Sequence, residues 1–196
     1  MARSLASFPE ELLARILALS FAPLRPSDLC PPRNRIAPLL VSKQFLRIAS
    51  PLFYHTLHLH SSHQAACALD TFSHHPPLAR AVRRLVFAGI WPASAGVIAL
   101  CDRVYDIDIS LDAGPIHSIS GTGDPTDADA EAFCHVLEQR PNITHLTIRK
   151  DPAAYLTHPR PSYVLQRLAL AVSQWKNLVS ILRSNLILHW LDDRAL

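Results

Sequence analysis

The spacing of apolar residues along the chain changes character near residue 55. Before that point it is helical. In the stretch 8–20, Pro9 sits at the first turn with Glu10 and Glu11 behind it, a helix-start arrangement that suits the amino-terminal dipole. Leu12, Leu13, Ile16, Leu17 and Ser20 then mark one apolar face, with Arg15 opposite. Pro23, Pro26, Pro31 and Pro32 make the next segment an extended connector. Helical spacing returns over 37–50 through Leu39, Leu40, Val41, Phe45, Leu46, Ile48 and Ala49, and Pro51 is expected to end it. A short helical or turn segment through Leu52, Phe53 and Tyr54 completes three small helices.

Beyond residue 55 a strand-like pattern recurs five times: an apolar residue, two of any kind, an apolar residue, one of any kind, and a further apolar residue. The copies are Tyr54, Leu57, Leu59; Val82, Leu85, Phe87; Val104, Ile107, Ile109; Ile143, Leu146, Ile148; and Leu178, Ile181, with Arg183 breaking the last. Alternation within each copy predicts a strand. Helices are expected over 62–74, 94–102, 126–140 and 162–174, each opened by Ser or Thr, with Thr126 and Asp129 as an acidic capping box. The central positions 57, 85, 107, 146 and 181 are unevenly spaced. Such strand-then-helix units fit a degenerate leucine-rich solenoid, in which each unit buries its apolar face against its neighbours. The positions where a regular repeat carries Asn or Cys hold Ser62, Ile90, Asp112, Asp151 and Leu186 instead, so an irregular α/β domain with a mixed sheet stays open. The expected class is mixed α/β, with a helical domain over 1–55, its Pro-rich connector at 21–38, and a repeat-like region over 56–196.

Composition narrows the function classes. The chain has 196 residues, 49% of them hydrophobic and 18% charged, enough to build a core. Its 19 basic and 16 acidic side chains give a net charge of +3 without a dense basic stripe. The clusters Arg33, Arg35 and Arg80, Arg83, Arg84 lack interleaved aromatics, so nucleic acid is not an expected partner. Cys30, Cys67, Cys101 and Cys134 stand far apart and form no CxxC pair, which reads as free, mostly buried thiols. Glu10, Glu11 and Arg15 interrupt any signal-peptide core, and no segment reaches membrane-spanning length. Cytoplasm or nucleus is the expected location.

Three strings then carry a resemblance. They are Phe8-Pro9-Glu10-Glu11-Leu12-Leu13 followed by Ile16-Leu17; Leu39-Leu40-Val41-Ser42-Lys43-Gln44-Phe45; and Ile48-Ala49-Ser50-Pro51-Leu52, continuing to Phe53-Tyr54. Residues 8–55 resemble an F-box, whose usual pattern is Leu-Pro before the first helix, Leu-Val-Cys/Ser-Lys-x-Trp/Phe in the second, and a closing Pro-Leu-aromatic. Phe8 replaces the usual leucine, and the connector is longer and richer in proline. The phrases 78–87 and 143–148 further resemble the F-box proteins numerous in mushroom-forming fungi.

The resemblance implies a substrate receptor of a cullin-type (SCF) ubiquitin ligase, without catalysis or cofactor of its own. It would bind a Skp-type adaptor, and through it a cullin scaffold, by way of Phe8, Pro9, Leu12, Leu13, Ile16, Leu17, Leu40, Val41 and Phe45. The remainder would hold an unknown target protein. The alternative is a leucine-rich interaction module outside the ubiquitin system. Leu186 to Leu191 is apolar with no polar capping unit behind it, which suggests a truncated family member.

Other chemistry is thinner. His55, His58, His60 and His63 cluster, and His58 with His60 would share a strand face, but no third ligand converges on them. Asp124, Asp127, Asp129 and Glu131 lack calcium-loop spacing and read as a helix amino-terminus. Gly121-Thr-Gly123 lacks the lysine of a phosphate loop, and the stretch 113–125 reads as a loop. No nucleophile elbow is present.

Overall fold

A computed structural model describes residues 9–21, 36–111, 128–149 and 159–184. Phe8, Cys30, Arg33, Arg35, Asp112, the 113–125 loop, Thr126, Asp151 and 186–191 lie outside the described residues. The chain divides into two compact units, Met1–Thr56 and Leu57–Leu196.

In the first unit, α1 (Glu10–Phe21) opens with the Leu13 amide donating to the Pro9 carbonyl at 3.1 Å. Its buried stripe is Leu13, Leu17 and Phe21, steps of four that bring one line of side chains onto the partner helix. The sequence places Leu12, Leu13, Ile16 and Leu17 on one face, but the helix divides them. Leu12 and Ile16 keep 51% and 54% of their surface exposed. Successive residues on a helix point about 100° apart, so only one of two adjacent apolar stripes can face a single partner.

The expected second helix is in fact two. A 3-10 turn, Ala37–Leu40, precedes α2 (Lys43–Tyr54), because Ser42 is extended and its Oγ accepts the Phe45 amide at 3.2 Å, the bond of an N-cap. Pro51 does not end the helix but lies inside it. Proline removes one donor, the bond that would return to Arg47, and the helix continues to Tyr54 around that gap. Leu13, Leu17, Phe21 and Ala49 form the core, with Leu39, Phe45, Ile48, Leu52 and Phe53 packed against it. Phe21 and Phe53 meet edge to face at 6.0 Å. Arg47 pairs with Glu10 and ties α2 to α1.

The second unit is mixed α/β. Its sheet contains β1 (Thr56–Leu59), β2 (Arg84–Phe87), β3 (Asp106–Ser110), β4 (His145–Arg149) and β5 (Ser180–Ser184), in that spatial order. β2 to β5 pair in parallel. The helices are α3 (Ser62–His74), α4 (Pro76–Ala79), α5 (Ser94–Leu100), α6 (Ala128–Glu138) and α7 (Pro159–Gln174). Successive long helices pack on one another, α3 on α5, α5 on α6 and α6 on α7. With the strands laid down in chain order and α3, α5, α6 and α7 each packed on the next, these described helices form one layer, as crossovers of a single hand would place them.

The five apolar patterns coincide with the five strands, and equivalent positions pair across the sheet. Leu85, Ile107, Leu146 and Ile181 form one row, and Phe87, Ile109, Ile148 and Arg183 the next. The entries to β3, β4 and β5 repeat too. The Arg83 carbonyl accepts both the Tyr105 and Asp106 amides, that of Tyr105 accepts Thr144 and His145, and that of Thr144 accepts Val179 and Ser180, all at 2.8–3.2 Å. The leading apolar residues Val82, Val104 and Ile143 are buried before their strands begin. Unequal spacing along the chain is absorbed outside the strands.

α3 has the expected bounds, 62–74, and α5 and α7 keep the expected start at Ser94 and end at Gln174, respectively, whereas α5 and α6 are shorter than expected and α7 starts earlier. α3 is capped by Ser61, whose Oγ accepts the Gln64 amide. α5 follows Ala93, which makes no side-chain cap bond, and α7 begins at Pro159 rather than at a serine. Pro at the start of a helix carries a ready-made φ and loses no helical bond, so it opens α7 as effectively as a hydroxyl would. At the turn position expected to carry a bonding side chain, Ile90 offers its carbonyl to Arg160 Nη2 at 2.7 Å.

Candidate functional site

Two surfaces carry chemistry, one on each unit. On the first, apolar side chains remain outside after the core is filled. Leu40 and Val41 expose 78% and 57% of their surface, and Leu12, Ile16 and Leu19 follow one another along the outer side of α1. Pro9 is exposed and Phe45 half-buried. Leu13 and Leu17 are enclosed in the core, so within the expected contact set they support the exposed residues and do not form the surface. Leu19 and Ile36 are exposed as well and were not singled out by sequence, and Leu46, read there only as an apolar position of the second helix, is exposed too. For Leu19 the signal was available in the 12, 16, 19 spacing, which marks a second stripe on α1.

On the second unit, residues alternating with the core row face away from the helices. Phe87 meets Phe133 of α6 at 5.2 Å, which fixes the parity of β2. Arg84, Asp106, Asp108, His145 and Arg149 therefore share the opposite face. Asp108 lies between two guanidiniums, with Arg149 Nε at 2.5 Å from Oδ1 and Arg84 Nη2 at 3.4 Å from Oδ2; its side chain is only 4% exposed. Asp106 is less well held. Arg84 Nε stands 3.5 Å from its Oδ2 but is not aligned as a hydrogen bond, and that buried nitrogen finds no acceptor. Burial pushes the Asp106 carboxyl above the usual carboxylate range; Arg84 and His145 oppose this and Asp108 adds to it.

His58 of β1 and His60 just beyond it stack at 5.9 Å on one side of the chain, while Leu59 between them is buried. Among the described residues no group of three His, Cys, Asp or Glu side chains is placed to hold a metal ion. Cys67 is exposed, with His63 Nε2 at 3.6 Å from its sulfur, whereas Cys101 and Cys134 are buried. Burial pushes the Cys101 thiol up to about 12, with Arg140 opposing and Asp102 adding to the shift, which leaves it protonated and inert. No helix among the described residues is long and apolar enough to cross a membrane.

No protein-family model, curated protein or solved structure matches the chain.

Proposed function

We propose that this chain is a substrate receptor of a cullin-type ubiquitin ligase, with an F-box over residues 8–55 and a degenerate leucine-rich-like solenoid after it. The observation that carries the reading is the apolar surface left over in the first unit. Leu12, Ile16, Leu40 and Val41 stay exposed although the unit has a filled core. Exposed apolar side chains in so small a unit mark a partner site or an aggregation liability. The three strings that resemble an F-box supply these same residues. A Skp-type adaptor would cover them, each fully buried side chain contributing about 1.5–3 kcal/mol. Leu13, Leu17 and Phe45 hold the helices that present them.

The second unit supports the receptor half of the reading. Strands in chain order with equivalent positions in register are the arrangement in which each unit buries its apolar row against the next. Such a body offers a target a continuous sheet face. The receptor needs no catalysis of its own, because holding a target near a conjugating enzyme raises effective concentration. Co-expression with a Skp-type adaptor tests the assignment. Co-purification as a stoichiometric complex is expected, and a chain that purifies alone and well folded would favour a leucine-rich interaction module outside the ubiquitin system.

A further inference from the structure

Free cysteines are usually buried, and among the described residues Cys101 and Cys134 are. Cys67 is the exception. It lies on the exposed side of α3, one helical turn after His63, and its Sγ stands 3.6 Å from His63 Nε2 and 4.0 Å from Nδ1. Each of these exposed side chains has the other as its polar neighbour, while Asp70 and His74, further along the helix, pair with each other.

The separation of sulfur and nitrogen is that of two ligands on one ion. A tetrahedral zinc, with Zn–S of about 2.3 Å and Zn–N of about 2.0–2.1 Å, holds such atoms about 3.6 Å apart. Spacing of i, i+4 on a helix places the pair side by side, and rotation of the imidazole about χ2 is soft enough to aim its nitrogen at the ion. Two ligands make half of a structural zinc site. Among the described residues no third His, Cys, Asp or Glu joins them, so the site is incomplete within one chain. A two-fold axis beside α3 supplies the other half, because the same pair on a second copy then faces the same ion.

We propose that His63 and Cys67 form half of a zinc site shared between two copies of this chain, closed by two thiolates and two imidazoles. As each Zn–S bond forms, the thiol proton leaves to solvent, and the imidazoles bind as neutral ligands. The two thiolates cancel the charge of the ion. A neutral site suits the first two turns of α3, where the helix dipole would disfavour an uncompensated cation. Ala66, between the two ligands along the helix, is exposed and small, which leaves room for a partner helix to approach. The site lies wholly in the second unit and does not rest on the adaptor reading.

Sedimentation of the untagged full chain, metal-free and with zinc chloride, is the test. Zinc is expected to double the mass, with about one ion bound per two chains by elemental analysis, and a chelator to reverse both. Cobalt(II) in its place is expected to give the strong visible bands of a tetrahedral ion together with a thiolate-to-metal band. Cys67→Ser and His63→Gln, both at exposed positions, should each abolish the zinc-dependent doubling while keeping the wild-type circular dichroism spectrum. Cys30→Ser should retain the doubling. A mass that does not change with zinc, an ion bound to each chain without association, or doubling that survives in both His63→Gln and Cys67→Ser overturns the proposal.

Discussion

Arg149 Nε lies 2.5 Å from Asp108 Oδ1, joining adjacent strands β4 and β3 through a pair of side chains that are largely withdrawn from water. Removing the acid would leave the Arg149 guanidinium without its carboxylate and Arg84 with only its unaligned contact to Asp106. Breaking a buried pair from one side costs about 3–5 kcal/mol, far more than a surface pair is worth. Asp108→Ala is therefore expected to destabilise the second unit by about 3 kcal/mol in urea unfolding followed by circular dichroism. Arg149→Met in the same background should cost less than it does alone, and strictly additive losses would show that the pair is not coupled.

Asp106 gives a pH dependence of opposite sense to that of a well-paired carboxylate. Its folded-state value is raised above 3.8, so the folded chain holds this proton more tightly than the unfolded chain does. The stability it contributes is fully present below the ordinary carboxylate value and is lost as pH rises through the raised one. Asp106→Asn, which cannot ionise, should thus gain stability over the wild type across that window and keep the advantage at neutral pH. Thermal melts at a series of pH values would contradict this if the advantage appeared only at low pH.

Thiol chemistry should separate the cysteines by burial. In a Cys30→Ser background, Cys67 is expected to react with a maleimide at neutral pH while Cys101 and Cys134 react only on unfolding. Peptide mass mapping of the labelled chain would show it, and rapid labelling of Cys101 in the native protein would contradict its burial at the end of α5.

Gly96 sits in α5 where an added Cβ would come within 2.8 Å of Leu69 Cδ1 on α3. Alanine in a helix ordinarily gains up to about 1 kcal/mol over glycine, but here Leu69 must move to make room. Gly96→Ala is expected to bring no net gain in chemical denaturation, and Gly96→Val to cost about 1–3 kcal/mol through overpacking. A stabilised valine variant would contradict the close packing of α3 on α5.

Much of the second unit was legible in the sequence because strand alternation is strict. Five apolar triplets mark five strands, and Leu85, Ile107 and Leu146 fall in one row as their pattern requires. The helices were less legible at their ends: α7 opens at Pro159 instead of the expected Ser162, and α5, though it starts at Ser94 as expected, has Ala93 before it with no side-chain cap bond. On α1 the difficulty was angular. Leu12 and Leu13, or Ile16 and Leu17, are neighbours in sequence and equally apolar, and only the position of α2 decides which of each pair is buried. Pro51 misled because a lost donor weakens a helix without having to end it. Arg140 left no apolar signal either. It occupies the place filled by buried Ala79, Cys101 and Trp175 before other strands, and it instead donates to the Ile98 and Ala99 carbonyls at the end of α5, 2.9 and 2.5 Å away. A cation at a helix carboxyl end is favourable, but its partner lies 41 residues or more away and no local pattern connects them.

The most direct test of the receptor assignment is calorimetric titration of the full chain with a purified Skp-type adaptor, wild type against Ile16→Asp and Leu40→Asp. Both side chains lie on the surface, so the variants should keep the wild-type circular dichroism spectrum. The account predicts saturable one-to-one binding by the wild type and a loss of at least about tenfold in affinity for each variant, since a charge is placed in a desolvated apolar contact. Absence of binding by the wild type, or unchanged affinity in both variants, would contradict it.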